Sequence, residues 1–318
     1  MSDELPERVT LDLGAGVTME FRLLPAGEFR MGSRGERSDE EPIHRVVISR
    51  PFYMGIYPVT QGQFSVWTGA AGIEHRNHFE GRPDHPAESM TWFECRDFCG
   101  WLNERCGLDI PSGYVAGLPL ECQWEYACRL MKHDGTPFSV DTDYYSGDGE
   151  AALAEVGWFG EDWDDGSTHA VGSVEKRPTD YGLYDMHGNV LEWCKDAYDG
   201  SAYKKRADGE SDPCVSAADV GEREENARRV VRGGSWLFSA RYCRAAYRVW
   251  WNPVSRIGNQ GFRVCLFFGP SCRTGAETGA VSECDTGDKA RRQAAASKVR
   301  HGDNAEVDLS AAELPDLD

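Results

Sequence analysis

The sequence lacks an excess of basic residues, a long hydrophobic run and a leader-like N-terminus. It has 34 Lys and Arg against 53 Asp and Glu, for a net charge of −19 and a pI near 4.9. Nucleic acids and anionic membranes both select a basic protein face, so we expect no nucleic-acid partner. No apolar run approaches the roughly 20 residues of a membrane span, so none is predicted. The N-terminal MSDELPERVTLDLG has neither the basic start nor the apolar core of a secretion signal. These absences predict a cytoplasmic protein.

The sequence also lacks the motifs of several enzyme classes. Its 11 cysteines include no CxxC pair, which argues against a zinc ribbon. Cys95 and Cys99 are one helical turn apart and are predicted to share the core face of a helix. The eight histidines show no HxH or HxxxH spacing. No Ser-His-Asp order, phosphate-binding glycine loop or HExxH is present, so hydrolase and nucleotide-binding functions have no support.

Hydrophobic periodicity places helices early in the chain and irregular β-structure late. Thr60 and Thr91 are predicted N-caps, and a further helix is predicted over Glu121–Met131. Strands are predicted within residues 18–31 and 44–49. Residues 134–179 are rich in Gly, Asp and Trp without a lasting period. This order of elements favours an α+β fold over alternating βαβ units.

The most informative stretch is Arg229–Cys265, here called the central segment. Short strand patterns bracket about two dozen residues without helical or alternating period. Arginines recur among large aromatic residues in this stretch. Glycines and a proline interrupt it too often for it to form one buried helix or strand. Aromatic rings beside guanidinium groups on a loop are typical of a recognition surface. The alternative is that the rings belong to the core.

Several blocks resemble the formylglycine-generating enzyme (sulfatase-modifying factor) family. In chain order they are LPAGEFRMGS, DEEPIHRVVIS, FYMGIYPVTQGQF, HPAESMTWFECRDFCGWLN, GLPLECQWEYACR, YGLYDMHGNVLEWCKD and RVVRGGSW followed by CRAAYR, NPVSR and GFRV. The resemblance implies one C-type-lectin-like α+β domain over residues 15–268, with much irregular structure, small antiparallel sheets and two main helices. Residues 1–14 would then form an N-terminal segment. Residues 269–318 have the composition of an acidic, disordered tail.

For the oxidase members of the family, the resemblance implies two cysteines after GGSW that bind copper and the substrate thiol. Soft thiolate ligands suit Cu(I). The first of these positions is Phe238 here, and the nearby thiol is Cys243. We therefore expect no catalytic residue and no copper. If the protein is an oxidase, Cys243 is the candidate, with Cys265 as an unusual second thiol. The iron-binding, sulfoxide-forming branch has an added helical domain, and we expect no such domain in this sequence.

The central segment is most similar to the variable proteins of diversity-generating retroelements, whose segment runs GGSWxxxARxCRxAxRxxxxPxxRxxxxGFR. The resemblance implies a fixed skeleton that includes Arg241, Arg244, Arg248, Arg256 and Arg263. The implied ligand-binding positions, here called the recognition surface, are Leu237, Phe238, Ser239, Tyr242, Tyr247, Val249, Trp250, Trp251, Asn252, Ser255, Ile257, Asn259 and Gln260. Tyr and Trp provide contact area with few rotatable bonds to order.

A structural calcium site is the remaining expectation from the resemblance. In oxidase members the Asn and Glu of a GNVWEW block help to bind the ion with backbone carbonyls. The corresponding residues are Asn189 and Glu192, whose oxygens are hard ligands. The alternative is a Gly-Asn turn with a Glu that caps neighbouring backbone.

The sequence therefore predicts a non-catalytic protein whose recognition surface over residues 237–260 binds a ligand, and we expect that ligand to be a protein. Two alternatives stay open at this point. One is a copper-dependent thiol oxidase with an atypical cysteine arrangement, and the other is a passive structural module of a larger assembly.

Overall fold

The computed structural model describes residues 5–269, which form fourteen strands and five helices besides two short 3-10 turns. The strands are β1 (Arg8–Gly14), β2 (Val17–Leu24), β3 (Gly27–Met31), β4 (His44–Ile48), β5 (Phe52–Gly55), β6 (Tyr114–Gly117), β7 (Leu130–His133), β8 (Thr136–Ser139), β9 (Leu191–Ala197), β10 (Glu210–Ser211), β11 (Arg229–Arg232), β12 (Val249–Trp251), β13 (Gln260–Phe262) and β14 (Cys265–Phe268). The helices are α1 (Gln61–Ala71), α2 (Trp92–Arg105), α3 (Glu121–Arg129), α4 (Glu150–Ala154) and α5 (Ala202–Lys205). The tail predicted over 269–318 lies outside the described residues, apart from Gly269.

The strands form small sheets, and long irregular connections separate them. A five-stranded sheet has the order β1-β2-β5-β14-β6, and a four-stranded sheet has the order β12-β11-β9-β13. A three-stranded sheet, β10-β4-β3, and the β7-β8 hairpin complete the β-structure of residues 5–269. The predicted α+β class with small sheets is confirmed. In this part of the chain, no helix has the length and apolar character needed to cross a bilayer.

The first strand extends the domain beyond its predicted start. β1, which falls in the predicted N-terminal segment 1–14, pairs antiparallel with β2 from Arg8↔Arg22 to Gly14↔Val17. Val9, Leu11 and Leu13 alternate with exposed polar residues and are buried in the main hydrophobic core. Because half of its side chains pack in that core, β1 is part of the domain rather than a separate segment.

The longer helices begin where their capping residues predict. The side chains of Thr60 and Thr91 each accept a hydrogen bond from the backbone N–H three residues on. The Gln or Glu side chain at that later position accepts a hydrogen bond from the backbone N–H of the threonine. This capping box satisfies two donors that a helix N-terminus leaves free. On α2, Cys95 and Cys99 are buried beside Phe98, as predicted, which gives them a packing role.

Helix α3 differs from the others because all nine of its residues are buried, including three charged ones. Glu121 accepts two hydrogen bonds from Arg248, at 2.7 and 2.8 Å. Glu125 pairs with Arg232 on β11 and with Arg129 one helical turn away. A carboxylate without water is costly unless a cation and hydrogen bonds compensate it. The helix can therefore be buried only together with the arginines of the central segment.

The pKa values reflect this compensation. Burial alone raises the pKa of Glu121, but the guanidinium groups of Arg248 and Arg232 lower the pKa to about 2, from an ordinary value of 4.5. The unfolded chain therefore binds a proton at this position at a higher pH than the folded chain does. Stability from the pair is fully present above pH 4.5 and is lost as the pH falls towards 2.

Glu121→Gln is expected to lower the free energy of unfolding at pH 7 by about 3 kcal/mol, because it leaves a buried guanidinium without its counter-charge. Urea unfolding at pH 7 and pH 2.5 measures the effect, and the gap between variant and parent narrows at the lower pH. The matched control is Glu155→Gln, whose pair with Arg177 is exposed and should cost less than about 1 kcal/mol. Equal losses in the two variants would contradict the assigned role of burial.

Candidate ligand-binding surface

Both ends of the central segment are held by the same strand. β11 pairs antiparallel with β9, where Arg232 lies opposite Glu192. β13 pairs with the other edge of β9 in parallel, and Gly261 lies opposite the same Glu192. Residues 233–259 are therefore a long connection whose two ends are fixed on either side of one strand, and β12 is its only strand.

The connection begins with a turn that requires glycine. Gly234 has a φ of +72°, and a Cβ there would lie 2.4 Å from Cys243 Sγ and 2.8 Å from the carbonyl oxygen of Tyr242. Both the left-handed backbone and the lack of space exclude a side chain. The chain consequently folds back on itself directly after β11, and residues 235–243 form a compact loop.

Arginine side chains then hold the connection against the rest of the domain. Arg244 donates two hydrogen bonds of 2.9 Å to Glu40, and Arg248 is paired with Glu121. Arg256 donates to Glu94 at 2.8 Å but is half exposed. We call Arg232, Arg244, Arg248 and Arg263 the arginine frame, since all four are buried and each is paired with a buried carboxylate. Arg241, part of the predicted skeleton, is exposed and contacts the Tyr242 ring instead.

The structure divides the thirteen predicted ligand-binding residues by burial. Ser239 and Asn252 are exposed. Seven are partly exposed: Leu237, Phe238, Tyr242, Trp250, Trp251, Ser255 and Ile257. Four are buried: Tyr247, Val249, Asn259 and Gln260. The binding role of the nine accessible residues stays a prediction, and they provide the surface considered below.

The four buried residues depart from the expectation that these positions face solvent. Tyr247 is 2% exposed and packs edge-on against Tyr242, and Val249 faces the main core. Asn259 donates to Ser235 at 3.1 Å, and Gln260 begins β13. All four side chains are buried by the surrounding structure, so they cannot contact a ligand without rearrangement.

The accessible aromatic rings comprise one packed pair and two tryptophans on β12. Phe238 and Tyr242 pack on each other with ring centroids 5.7 Å apart. Trp250 and Trp251 are adjacent on β12, an edge strand, and therefore point to opposite faces of the sheet. The Arg228 guanidinium lies 3.6 Å from the centroid of the Trp250 ring. Partly exposed rings of this kind are the residues that most often dominate binding energy at interfaces.

Two other loops border the surface, and we did not predict them from the sequence. Glu161 donates its backbone N–H to the carbonyl of Trp236 at 2.9 Å, so the acidic loop 161–165 borders the packed pair. Trp163 stacks on Trp236 at 5.6 Å, and His78 packs on Trp163 at 5.2 Å. A tryptophan within a run of acidic residues was the available signal, since a solvated acidic loop has no need of a large ring.

The domain family described as "Sulfatase-modifying factor enzyme 1-like domain" matches residues 15–266. The chain belongs to this family. The resemblance predicted from the sequence blocks is therefore confirmed, together with the fold that it implied.

Individual relatives of this family fall into distinct groups. The chain is 28% identical to the serine/threonine-protein kinase pkn1 of Chlamydia caviae over 77% of its own length but spans only 37% of that protein. It is 27% identical to the formylglycine-generating enzyme of Streptomyces coelicolor, covering 76% of this chain and 87% of the enzyme. Among solved structures, Treponema denticola variable protein 1 matches with a TM-score of 0.66 and 25% identity, covering 82% of this chain and 99% of the other.

The thiols expected for an oxidase of this family are poorly placed for chemistry. Cys243 is fully buried, and burial raises the pKa of its thiol to about 12. Its sulfur lies 3.9 Å from the carbonyl oxygen of Ser235, whereas the sulfur of Cys265 lies 3.9 Å from Gln123. The thiolate is the form that attacks or binds metal, and burial keeps the Cys243 thiol in its neutral form at neutral pH.

Both predicted calcium ligands, Asn189 and Glu192, already have hydrogen-bond partners within the protein. Both carboxylate oxygens of Glu192 accept hydrogen bonds from Arg263, and one also accepts from Trp124 at 2.7 Å. The Asn189 amide accepts from the backbone N–H of His169 and donates to its carbonyl, which locks the turn. A guanidinium cation already neutralises the carboxylate, so a divalent ion would have to displace a buried pair.

Calcium is accordingly expected to leave the stability of the protein unchanged. A site with a Kd of about 10 µM would raise the free energy of unfolding by about 2.7 kcal/mol at 1 mM calcium. We expect urea unfolding curves in 1 mM calcium and in EGTA to superimpose, with magnesium as the control for ionic strength. A calcium-specific increase of that size would show that the ion binds and that these side chains rearrange.

Proposed function

We propose that the protein is a non-catalytic binding protein, and that the accessible residues of its recognition surface bind another protein. One observation carries the proposal: partly exposed aromatic side chains project from a segment whose backbone is held by the buried arginine frame. An aromatic surface that is ordered before binding loses little conformational entropy on association.

The likeness to Treponema denticola variable protein 1 supports this assignment. The match extends over 99% of that structure at 25% identity, close to the 27% identity with the enzyme of Streptomyces coelicolor. The position where oxidase members are expected to have their first thiol is a partly exposed phenylalanine, Phe238. An apolar ring contributes contact area but no redox chemistry, which favours binding over oxidation at this place.

The charges around the surface indicate the chemistry of the partner. Asp162, Asp164 and Asp165 are exposed in the loop whose backbone hydrogen-bonds to the chain at Trp236. Arg228 and Arg241 are exposed cations near the surface and lie on aromatic rings. Arg256 is half exposed but is paired with Glu94. We therefore propose a protein partner that presents apolar side chains flanked by basic residues on the side of the acidic loop.

Genetic diversification of the segment and a cytoplasmic location are separate expectations that stay predictions. A near-copy of the coding segment that differs at adenines, beside a reverse transcriptase gene, is the DNA observation that would establish diversification. Neither expectation is required for binding by the surface as it stands.

Photo-crosslinking in the native host tests the proposed surface directly. A benzophenone amino acid replaces Ser239 or Asn252, both exposed, so that the substitution leaves the frame intact. We expect the same discrete protein adduct at both positions after irradiation. The control replaces Val174, which is fully exposed but belongs to another loop, and should give no such adduct.

Adding Trp250→Ala to the Asn252 probe separates binding from folding. A hot-spot tryptophan contributes about 2 kcal/mol or more to association, so the adduct should fall by roughly 30-fold. The stability cost should be only about 1 kcal/mol, because the ring is partly exposed. An adduct that is unchanged by this substitution, or that forms equally from Val174, would overturn the proposal.

A further inference from the structure

A groove separate from the recognition surface lies where α2, β6, β9 and β14 meet. It encloses about 390 Å³, and its apolar walls include Trp92, Leu118, Val215 and Phe267. This volume is within the range of roughly 300–1,000 Å³ that small-molecule sites occupy. None of the thirteen predicted ligand-binding residues lines it.

The charge of the groove is opposite to that of the whole chain. Three cations line it, Arg96, Lys195 and Arg229, together with one carboxylate, Glu224. Arg96 is also paired with Asp97 at 2.8 Å, which leaves an excess of one positive charge in a protein with a net charge of −19. Such a local reversal attracts anions, and the apolar walls strengthen the attraction by excluding water.

Arg229 gives the groove a prearranged cation. Its side chain is 2% exposed, and its guanidinium carbon lies 3.8 Å from the centroid of the Trp92 ring. Nη1 donates to the carbonyl of Lys195, and Nη2 lies 2.9 Å from Glu224. Within residues 5–269, its buried Nε has no hydrogen-bond partner. The guanidinium is therefore fixed between the Trp92 ring and Glu224, with one nitrogen that has no acceptor in the described part of the chain.

Lys195 contributes a second, more accessible cation. Its side chain is exposed, and Nζ lies 5.5 Å from the centroid of the Phe267 ring. No carboxylate of the described residues forms an ion pair with it. The ammonium group therefore lies at the edge of an apolar wall. It can pair with an anion whose hydrophobic part packs against Phe267.

We propose that this groove binds a small amphipathic carboxylate, with its aromatic or aliphatic body against Trp92 and Phe267 and its anionic end near Lys195 and Arg229. The apolar walls select the body, and the two cations select the charge. Three observations on the described residues together support this assignment: an ammonium group without an ion pair, a guanidinium nitrogen without a hydrogen-bond partner and an apolar groove of this size.

The probe for the test is 4-phenylbutyrate, and 4-phenylbutanol is its uncharged analogue. In NMR titrations of the full chain, we expect 4-phenylbutyrate to shift the Trp92 indole resonance saturably, with a Kd in the millimolar range or below. The Trp158 indole should not shift. The uncharged analogue should bind roughly tenfold more weakly, because it lacks the charge-assisted hydrogen bonds.

Two substitutions assign the binding to the groove. Lys195→Met retains an apolar stem while removing the charge and should weaken binding roughly tenfold, with Lys204→Met on α5 as the matched exposed control. Val215→Trp should abolish binding by filling the cavity. The proposal is wrong if the alcohol binds as tightly as the acid, or if Lys195→Met has no effect. It is also wrong if an acidic peptide binds here and 4-phenylbutyrate does not.

Discussion

The ion pair between Arg248 and Glu121 connects the central segment to helix α3. The carboxylate belongs to a helix buried on every side, and the guanidinium belongs to an otherwise irregular loop. Neither charge could be buried alone, so the helix and the loop acquire their native positions together. Arg232 and Glu125 repeat the arrangement one helical turn away. Hydrogen-bond geometry thereby gives a unique conformation to a segment that has almost no secondary structure of its own.

This construction separates the groups that determine the backbone from those that meet a ligand. The arginine frame points inward, whereas the side chains of Leu237, Phe238 and Trp250 are only partly covered. Changes at such positions leave the buried pairs untouched, so different side chains can occupy them on one backbone. Antibody paratopes reach the same result with a β-sandwich in place of ion pairs.

Local signals in the sequence predicted α1 and α2, because Thr60 and Thr91 are their N-caps and each of these two helices presents one apolar face. The alternation of Val9, Leu11 and Leu13 is also a strand signal. The predicted domain nevertheless began after it, at residue 15, because the family resemblance begins there. The burial of Tyr247 and Gln260 was not predictable, since their positions depend on strands that pair with β9 from distant parts of the chain. The contribution of Trp163 to the surface depends on a similar long-range contact.

The position of β14 has a consequence for how the chain reaches this state. It lies between β5 and β6, although it is the last strand of the five-stranded sheet in the sequence. The sheet therefore has a gap in its middle until residues near 268 are available, and closing it joins segments separated by more than 200 residues. Assembly dominated by such distant contacts is slow. A nascent or truncated chain that ends before Cys265 would expose two unpaired strand edges, a hazard for intermolecular association.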